Sequence, residues 1–323
     1  MRQLSLSAFF SGADEEPASA EPLEVWDLFC GVGGFSEGAK QAGCRVAFAC
    51  DSDNDALNAH KRNHSDAVHM RCTLPAQLPL PTDGRRFHLH GSPPCQRFSN
   101  ASGQQGQSEA GLEHAMRLVE WYLETALASQ ATSWSMEQVA APAVVQIVHR
   151  HARSNRVHMA WGVFRLDALG VPQTRRRLIA GSPAIIARLR RLESSAAARS
   201  VRDVIPRCRG THIRNSKSWT SRSPNNDARS KAKYSYNKAL WSDWCHSVDG
   251  LAPTVLAHRS LTWVTLQEAT KKVTHSPLTL GEHACLQTFP KWYRLPRNKV
   301  LGLRLVGNSV PPRVAKLMLT ATT

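Results

Sequence analysis

Three kinds of feature are scarce or missing in this 323-residue chain. No apolar run reaches the ~18 residues that a membrane-crossing helix needs, so no membrane span is expected. The eight cysteines contain no CxxC pair, and their spacing points to no metal site. Cys30, Cys44 and Cys50 fall in apolar, strand-like stretches, which fits free thiols in a reducing compartment. Acidic residues are few: 25 Asp and Glu against 41 Lys and Arg, a net charge of +16. A surplus of that size is the electrostatic footprint of a polyanion-binding protein, nucleic acid foremost. The first ten residues are only partly apolar and run straight into acids, which argues against a secretory signal. The expectation is an intracellular protein.

What is present is a long alternation of strands and helices. The chain is 42% hydrophobic, enough for a sizeable core. Residues 1–22 read as a disordered tail, rich in Pro, Glu, Ala and Ser. Strands are then predicted at EVWDLF (24–29), RVAFACD (45–51), AVHM (67–70), FHLHGS (87–92), SWSMEQV (133–139) and RRRLIAG (175–181), with VHMAWGVFRL (157–166) between the last two. Helical segments intervene, among them DNDALNAHKRN (53–63), a long one near 109–130 and PAVVQIVHRHAR (142–153). Such alternation implies parallel βαβ units in a doubly wound, mostly parallel α/β sheet. This assigns 23–189 to one large α/β domain. From Arg202 to Lys238 ten Lys and Arg face two Asp, with Trp219, Tyr234, Tyr236, Trp241 and Trp244 interleaved. That mixture suits backbone and base contacts, so 190–290 reads as a smaller, irregular recognition domain. Residues 291–323 read as a return to the catalytic half.

Five stretches carry chemistry. DLFCGVGGFSEG places glycines 31, 33 and 34 between a strand and a helix, where backbone can approach a ligand at the helix N-terminus. Asp51 closes the next strand, a position from which a carboxylate can accept ribose hydroxyls. In HGSPPCQRFSNASG, two prolines stiffen the turn that aims Cys95, at a strand's carboxyl end, and the polar loop after it is expected to be mobile. A free thiol titrates near 8.5, so Cys95 needs a cation or helix terminus nearby to act as a nucleophile. MEQV puts Glu137 at a strand end as a candidate acid. GVPQTRRRLIAG alternates so as to put Arg175 and Arg177 on one strand face, a candidate anion or carbonyl clamp. VGNSVPP (306–312) is the last.

In this order, and with LTLGEHACLQTFP (278–290) before the last, these blocks resemble the cytosine-5 DNA methyltransferases over Asp27 to Pro312. The resemblance implies a Rossmann-like fold that uses S-adenosylmethionine. It implies that Cys95 attacks carbon 6 of a flipped-out cytosine in double-stranded DNA, Glu137 holds or protonates ring nitrogen 3, Arg177 reaches the cytosine carbonyl, and Arg175 sits nearby. Phe29, Gly31, Gly33, Asp51, Asn308 and Ser309 would hold the cofactor. Gln96, Ser99, Gln173 and Thr254 would face DNA. No partner subunit is implied, so a monomer is expected.

Three departures from the family pattern stand out. The usual Glu-Asn-Val is Glu137-Gln138-Val139, the acid expected after the third strand is replaced by RCTLPAQ (71–77), and the loop after Cys95 reads SEAGLEHAMR. They motivate one alternative, a catalytically impaired DNA-binding homologue. The other alternative is the tRNA-methylating branch, whose Cys-Phe-Thr signature is absent here. Finally, Gln3, Leu6, Phe9 and Phe10 have the spacing of the box that docks on the replication sliding clamp, PCNA. A one-turn helix would gather Leu6, Phe9 and Phe10 into an apolar plug, on a tether that raises local concentration. Clamp binding would put the enzyme in a nucleus or at a viral replication site.

Overall fold

The computed structural model describes residues 21–94, 109–195, 198–215, 245–267, 270 and 272–320. In β1 (Glu24–Leu28) four of five residues are buried. Trp26 and Leu28 join an apolar cluster with Phe48, Phe87 and Leu89, whereas Val25 joins another with Phe35, Val46 and Ile179. A strand covered on both faces belongs in the interior of a parallel sheet. Parallel neighbours of β1 are β2 (Arg45–Asp51) and β4 (Phe87–Gly91), and β3 (Val68–Arg71) extends the sheet beyond β2. β5 (Ser133–Gln138) lies parallel to β4. Helices α3 (Glu109–Ala128) and α4 (Pro142–Ser154) cover the first face, contributing Tyr122, Leu123, Ile147 and Val148. Helices α1 (Gly34–Gln41), α5 (Pro183–Ser195) and α9 (Pro312–Leu319) cover the second.

The full order is β3-β2-β1-β4-β5-β7-β6, with β6 at Ala160–Arg165 and β7 at Arg176–Gly181. β7 runs antiparallel to both β5 and β6, an inversion within a sheet otherwise built from parallel pairs. The strand order reverses between β1 and β4, and ligands of open α/β sheets collect at the carboxyl ends of strands at such a switch point.

Beyond α5 the expectation of an irregular region needs correction. A second sheet, all antiparallel, has the order β11-β10-β8-β9: β8 His212–Asn215, β9 Cys245–Ser247, β10 Leu261–Gln267 and β11 Lys272–Pro277. Its strands are short and one-sided, so charge and serine mask the alternation in the sequence. Trp263 and Ile213 bury its inner face against a core shared with Ala56 and Ala59 of α2 (Asn54–Lys61) and with Phe289, Tyr293 and Val306. The last of these sits on α8 (Lys299–Asn308), preceded by α6 (Val201–Val204) and α7 (Leu280–Leu286). Most of the basic, aromatic stretch lies at 216–244, outside the described residues. The chain then returns to the large sheet: a Cβ on Gly38 of α1 would stand 2.2 Å from the Pro312 carbonyl, so only glycine lets α9 approach this closely.

Candidate active site

A cavity of about 310 Å³ opens at the switch point. It is lined by the glycine turn (Phe29, Gly31, Gly34), by Asp51–Asp53 after β2, by Ser92–Pro94 after β4, by Glu137 and Gln138 of β5, and by Asn308–Val310 after α8. Phe29 and Gly31 both have positive φ, 58° and 54°. Asp51 fixes that turn: its Oδ2 accepts from the Gly31 N–H at 2.9 Å and its Oδ1 from the Asp53 N–H at 2.9 Å. Asp53 caps α2 through the N–H groups of Asp55 and Ala56 and pairs with Arg304 at 2.7 Å.

Asp27 lies at the back of the same cavity, 1% exposed. Burial raises its carboxyl to about 7, against the pull of a 2.7 Å hydrogen bond from the Ser36 hydroxyl. The Ser36 oxygen meets His60 Nε2 at 2.9 Å, and His60 Nδ1 meets His69 Nε2 at 2.8 Å. Four carboxyl groups (Asp27, Asp51, Asp53, Glu137) and one guanidinium, Arg304, thus line this cavity. That acidic cradle suits an organic cation with polar hydroxyls, as S-adenosylmethionine is. Asp27, Asp53 and Arg304 were not singled out in the sequence. The DSDND run was the available signal, since an Asp two residues past a strand end is a natural helix cap.

At the opposite rim, Arg177 Nε lies 3.0 Å from Glu137 Oε1. The contact is a close charge pair rather than an aligned hydrogen bond. Gln138, the first departure from the family pattern, donates from Nε2 to the Pro93 carbonyl at 2.9 Å and accepts the Val139 N–H at 2.7 Å. The longer amide therefore still braces the Pro-Pro turn. Cys95, Gln96 and Ser99 lie outside the described residues, immediately beyond Pro94. Cys30 also lines the cavity, but burial, aided by the Asp27 and Asp51 carboxylates, pushes its thiol well above the ordinary range. It is held as an unreactive thiol.

Two expected positions, Arg175 and Gln173, are buried in the wall behind the cavity, and two others, Thr254 and Gly33, also make contacts within the protein. Arg175 is 1% exposed and points away from Glu137. Its guanidinium donates to the Val255, Gly307 and Ser309 carbonyls at 3.2, 3.2 and 3.3 Å. The reason is that β7 starts at Arg176, so strand alternation does not extend to residue 175. Gln173 is fully buried and donates to Leu286 O and Gln287 Oε1 while accepting from the Val255 N–H, all at 2.9 Å. It cannot face DNA. The Thr254 hydroxyl is engaged with the Thr174 carbonyl. Gly33 lies within the turn, between the cavity-lining Gly31 and Gly34. It supplies a φ of 91°, and a Cβ there would strike the Tyr293 hydroxyl at 2.7 Å, whose proton goes to Val32 O at 2.6 Å. Gln3, Leu6, Phe9 and Phe10 lie outside the described residues.

A family model for C-5 cytosine-specific DNA methylases matches residues 23–120 and 143–322. The chain is 26% identical over 310 residues to the type II methyltransferase M.HgiDI of Herpetosiphon aurantiacus, covering 93% of this chain and 94% of that protein. It is 32% identical over 168 residues to the type II methyltransferase M.AgeI of Thalassovita gelatinovora, covering 48% of this chain and 38% of that one. Among solved structures, a DNA modification methyltransferase encoded within an E. coli prophage superposes with a TM-score of 0.59 at 19% identity, over 93% of this chain and 98% of that one. A DNMT2 from Spodoptera frugiperda superposes with a TM-score of 0.56 at 15% identity, over 91% and 97%. At these identities the structural likeness speaks for the fold alone.

Proposed function

The chain belongs to the C-5 cytosine-specific DNA methylase family, and on that premise we propose how its own residues carry out methyl transfer to carbon 5 of cytosine in DNA. When bound, S-adenosylmethionine supplies an electrophilic methyl group on a sulfonium. The glycine turn, Asp51 and the Asn308–Ser309 segment hold it in the acidic cavity. Cys95 is the nucleophile, aimed by a turn that Gln138 braces through the Pro93 carbonyl. Addition of its thiolate to carbon 6 pushes electron density to carbon 5. Glu137, oriented by Arg177, holds ring nitrogen 3 and shares or donates the proton there, while Arg177 meets the carbonyl oxygen. After transfer, loss of the carbon 5 proton expels the thiolate and restores the aromatic ring. The target base must leave the stack, at a cost of a few kcal/mol, which phosphate contacts by the basic surface offset.

The observation that carries this reading is the convergence of Pro93, Pro94, Glu137 and Gln138 on one wall of the cavity, opposite Asp51. Tritiated-methyl transfer to mixed-sequence DNA tests it. Incorporation into 5-methylcytosine that vanishes in Cys95→Ser is expected. Full activity in that variant, or transfer to tRNA and none to DNA, would overturn it.

The same chain is delivered to newly made DNA by its tail. The support is the spacing of Gln3, Leu6, Phe9 and Phe10 ahead of a polar tether. This would place the enzyme at replication sites in a cell or virus with a eukaryotic-type clamp. A pull-down with PCNA should retain the intact protein and lose Phe9→Ala/Phe10→Ala. Equal retention ends the idea.

A further inference from the structure

Helix α4 carries no Asp or Glu. Its inner face buries Val144, Ile147 and Val148. Its outer face, at spacings of three, four and seven residues, presents Gln146, His149, Arg150 and Arg153, all exposed. With Ser154 and Arg156 these line an open groove of about 540 Å³ that contains no carboxylate. Arg150 pairs with Glu120 of α3; among the described residues Arg153 and Arg156 have no ion-pair partner.

Cations at a helix C-terminus often serve as caps. Here that task is done by Asn155, whose N–H and Nδ2 donate to the His151 carbonyl at 3.1 and 2.9 Å. Among the described residues neither Arg153 nor Arg156 donates a hydrogen bond to that terminus. The basic surface continues across the edge strand β6: His149 packs against the Trp161 ring at 6.2 Å, and Arg190 of α5 donates to the Trp161 carbonyl at 3.0 Å.

α4 runs back from the β5 end that carries Glu137. Thirteen residues at ~1.5 Å each put its C-terminal end about 20 Å from the cavity. A duplex seated over the cavity for base flipping is not in place to fill this groove.

We propose that this face is a second nucleic-acid contact, which holds the phosphate backbone of non-target duplex DNA while the cavity is between target sites. Charge complementarity supports the choice: a cationic face ~10 Å long meets about three phosphates of one strand, at ~3.4 Å per charge. The proposal rests on DNA being the substrate, and its test separates the two.

Arg153→Gln/Arg156→Gln removes two cations and touches no cavity residue. Binding to long mixed-sequence duplex is measured against salt concentration. The slope of log K against log salt should become shallower by about 1.8, at ~0.9 for each phosphate that is no longer neutralised, and Arg153→Lys/Arg156→Lys should restore it. Methyl transfer is measured in parallel on a duplex of about 10 base pairs, whose arms reach ~17 Å from the centre and so stop short of the groove, bearing a site mapped by bisulfite sequencing. Its rate, the melting temperature and S-adenosylhomocysteine binding should be unchanged. An unchanged slope overturns the proposal. So does an equal loss on short and long DNA, which would make these ordinary target contacts. Loss of polyglutamate binding at an unchanged DNA slope would assign the face to an acidic protein and also overturn it. Absence of methyl transfer by the unmodified enzyme on every duplex would instead sink the enzymatic reading.

Discussion

Arg175 and Arg177 stand two residues apart, and their substitution should have opposite consequences. In Arg175→Met the stem volume is kept, while three buried carbonyls, on Val255, Gly307 and Ser309, lose their cationic donor. Each buried group left unsatisfied costs about 1–3 kcal/mol, the values are not additive, and breaking a buried charged network typically costs about 3–5 kcal/mol. At ~2.1 cal/mol/K of unfolding entropy per residue over 323 residues, 1 kcal/mol shifts the thermal midpoint by about 1.5 °C, so the midpoint should fall by about 4–7 °C. Ser309, one of the three, lines the cavity, so S-adenosylmethionine affinity should weaken too. In Arg177→Met the loss falls on one partner, Glu137, rather than on three buried carbonyls, so the thermal midpoint should fall less than in Arg175→Met. Methyl transfer, however, should fall by at least about 10²-fold, the scale for removing one preorganised charge donor. Differential scanning calorimetry and a single-turnover tritium assay on both variants test this. An Arg175→Met protein that melts like the unmodified one would refute the assignment, as would an Arg177→Met protein that melts as low and still turns over.

Three further outcomes are expected. Gln138→Ala removes the brace on Pro93 and should lower kcat by about 10-fold or more while S-adenosylhomocysteine affinity, read by calorimetry, stays put. Glu137→Gln should cut transfer by about 10²–10⁴-fold, the range for a positioned acid or base, in a rapid-quench assay. Stability should rise with pH between 5 and 7. Burial holds His60 and His90 well below their ordinary range, His64 at about 4 and His88 at about 3; depressed in this way, they contribute stability above ~6.5 that is lost as pH falls. Asp27, raised to about 7, contributes stability below ~4 that is lost as pH rises through 7. Glu37 and Asp51, also raised by burial, act like Asp27, but nine lowered histidines, these four and His69, His212, His246, His275 and His283, oppose these three carboxyls, so urea midpoints should climb over this window, and Asp27→Asn should make the climb steeper.

Much of this protein is legible in its residues. The apolar strands declare themselves because both faces are buried, so β1, β2, β4 and β5 appear within a residue or two of their predicted ends. The second sheet is harder to see: each strand has one solvated face, and the charge that serves a polyanion obscures the alternation.

The sequence by itself determined the order of the blocks, the Pro-Pro-Cys turn, the glycine turn with Asp51, and the excess of positive charge. Those are local or compositional properties, set by φ restriction, chain spacing and net ionisation. Only the tertiary structure decided which polar side chains face the cavity and which hold the walls together. Arg175 finds its carbonyls 80 to 134 residues away, Gln173 reaches Gln287, and Gln138 reaches back 45 residues to Pro93. A buried polar group must be satisfied by whatever the fold brings within about 3 Å, and neither periodicity nor motif spacing encodes that distance.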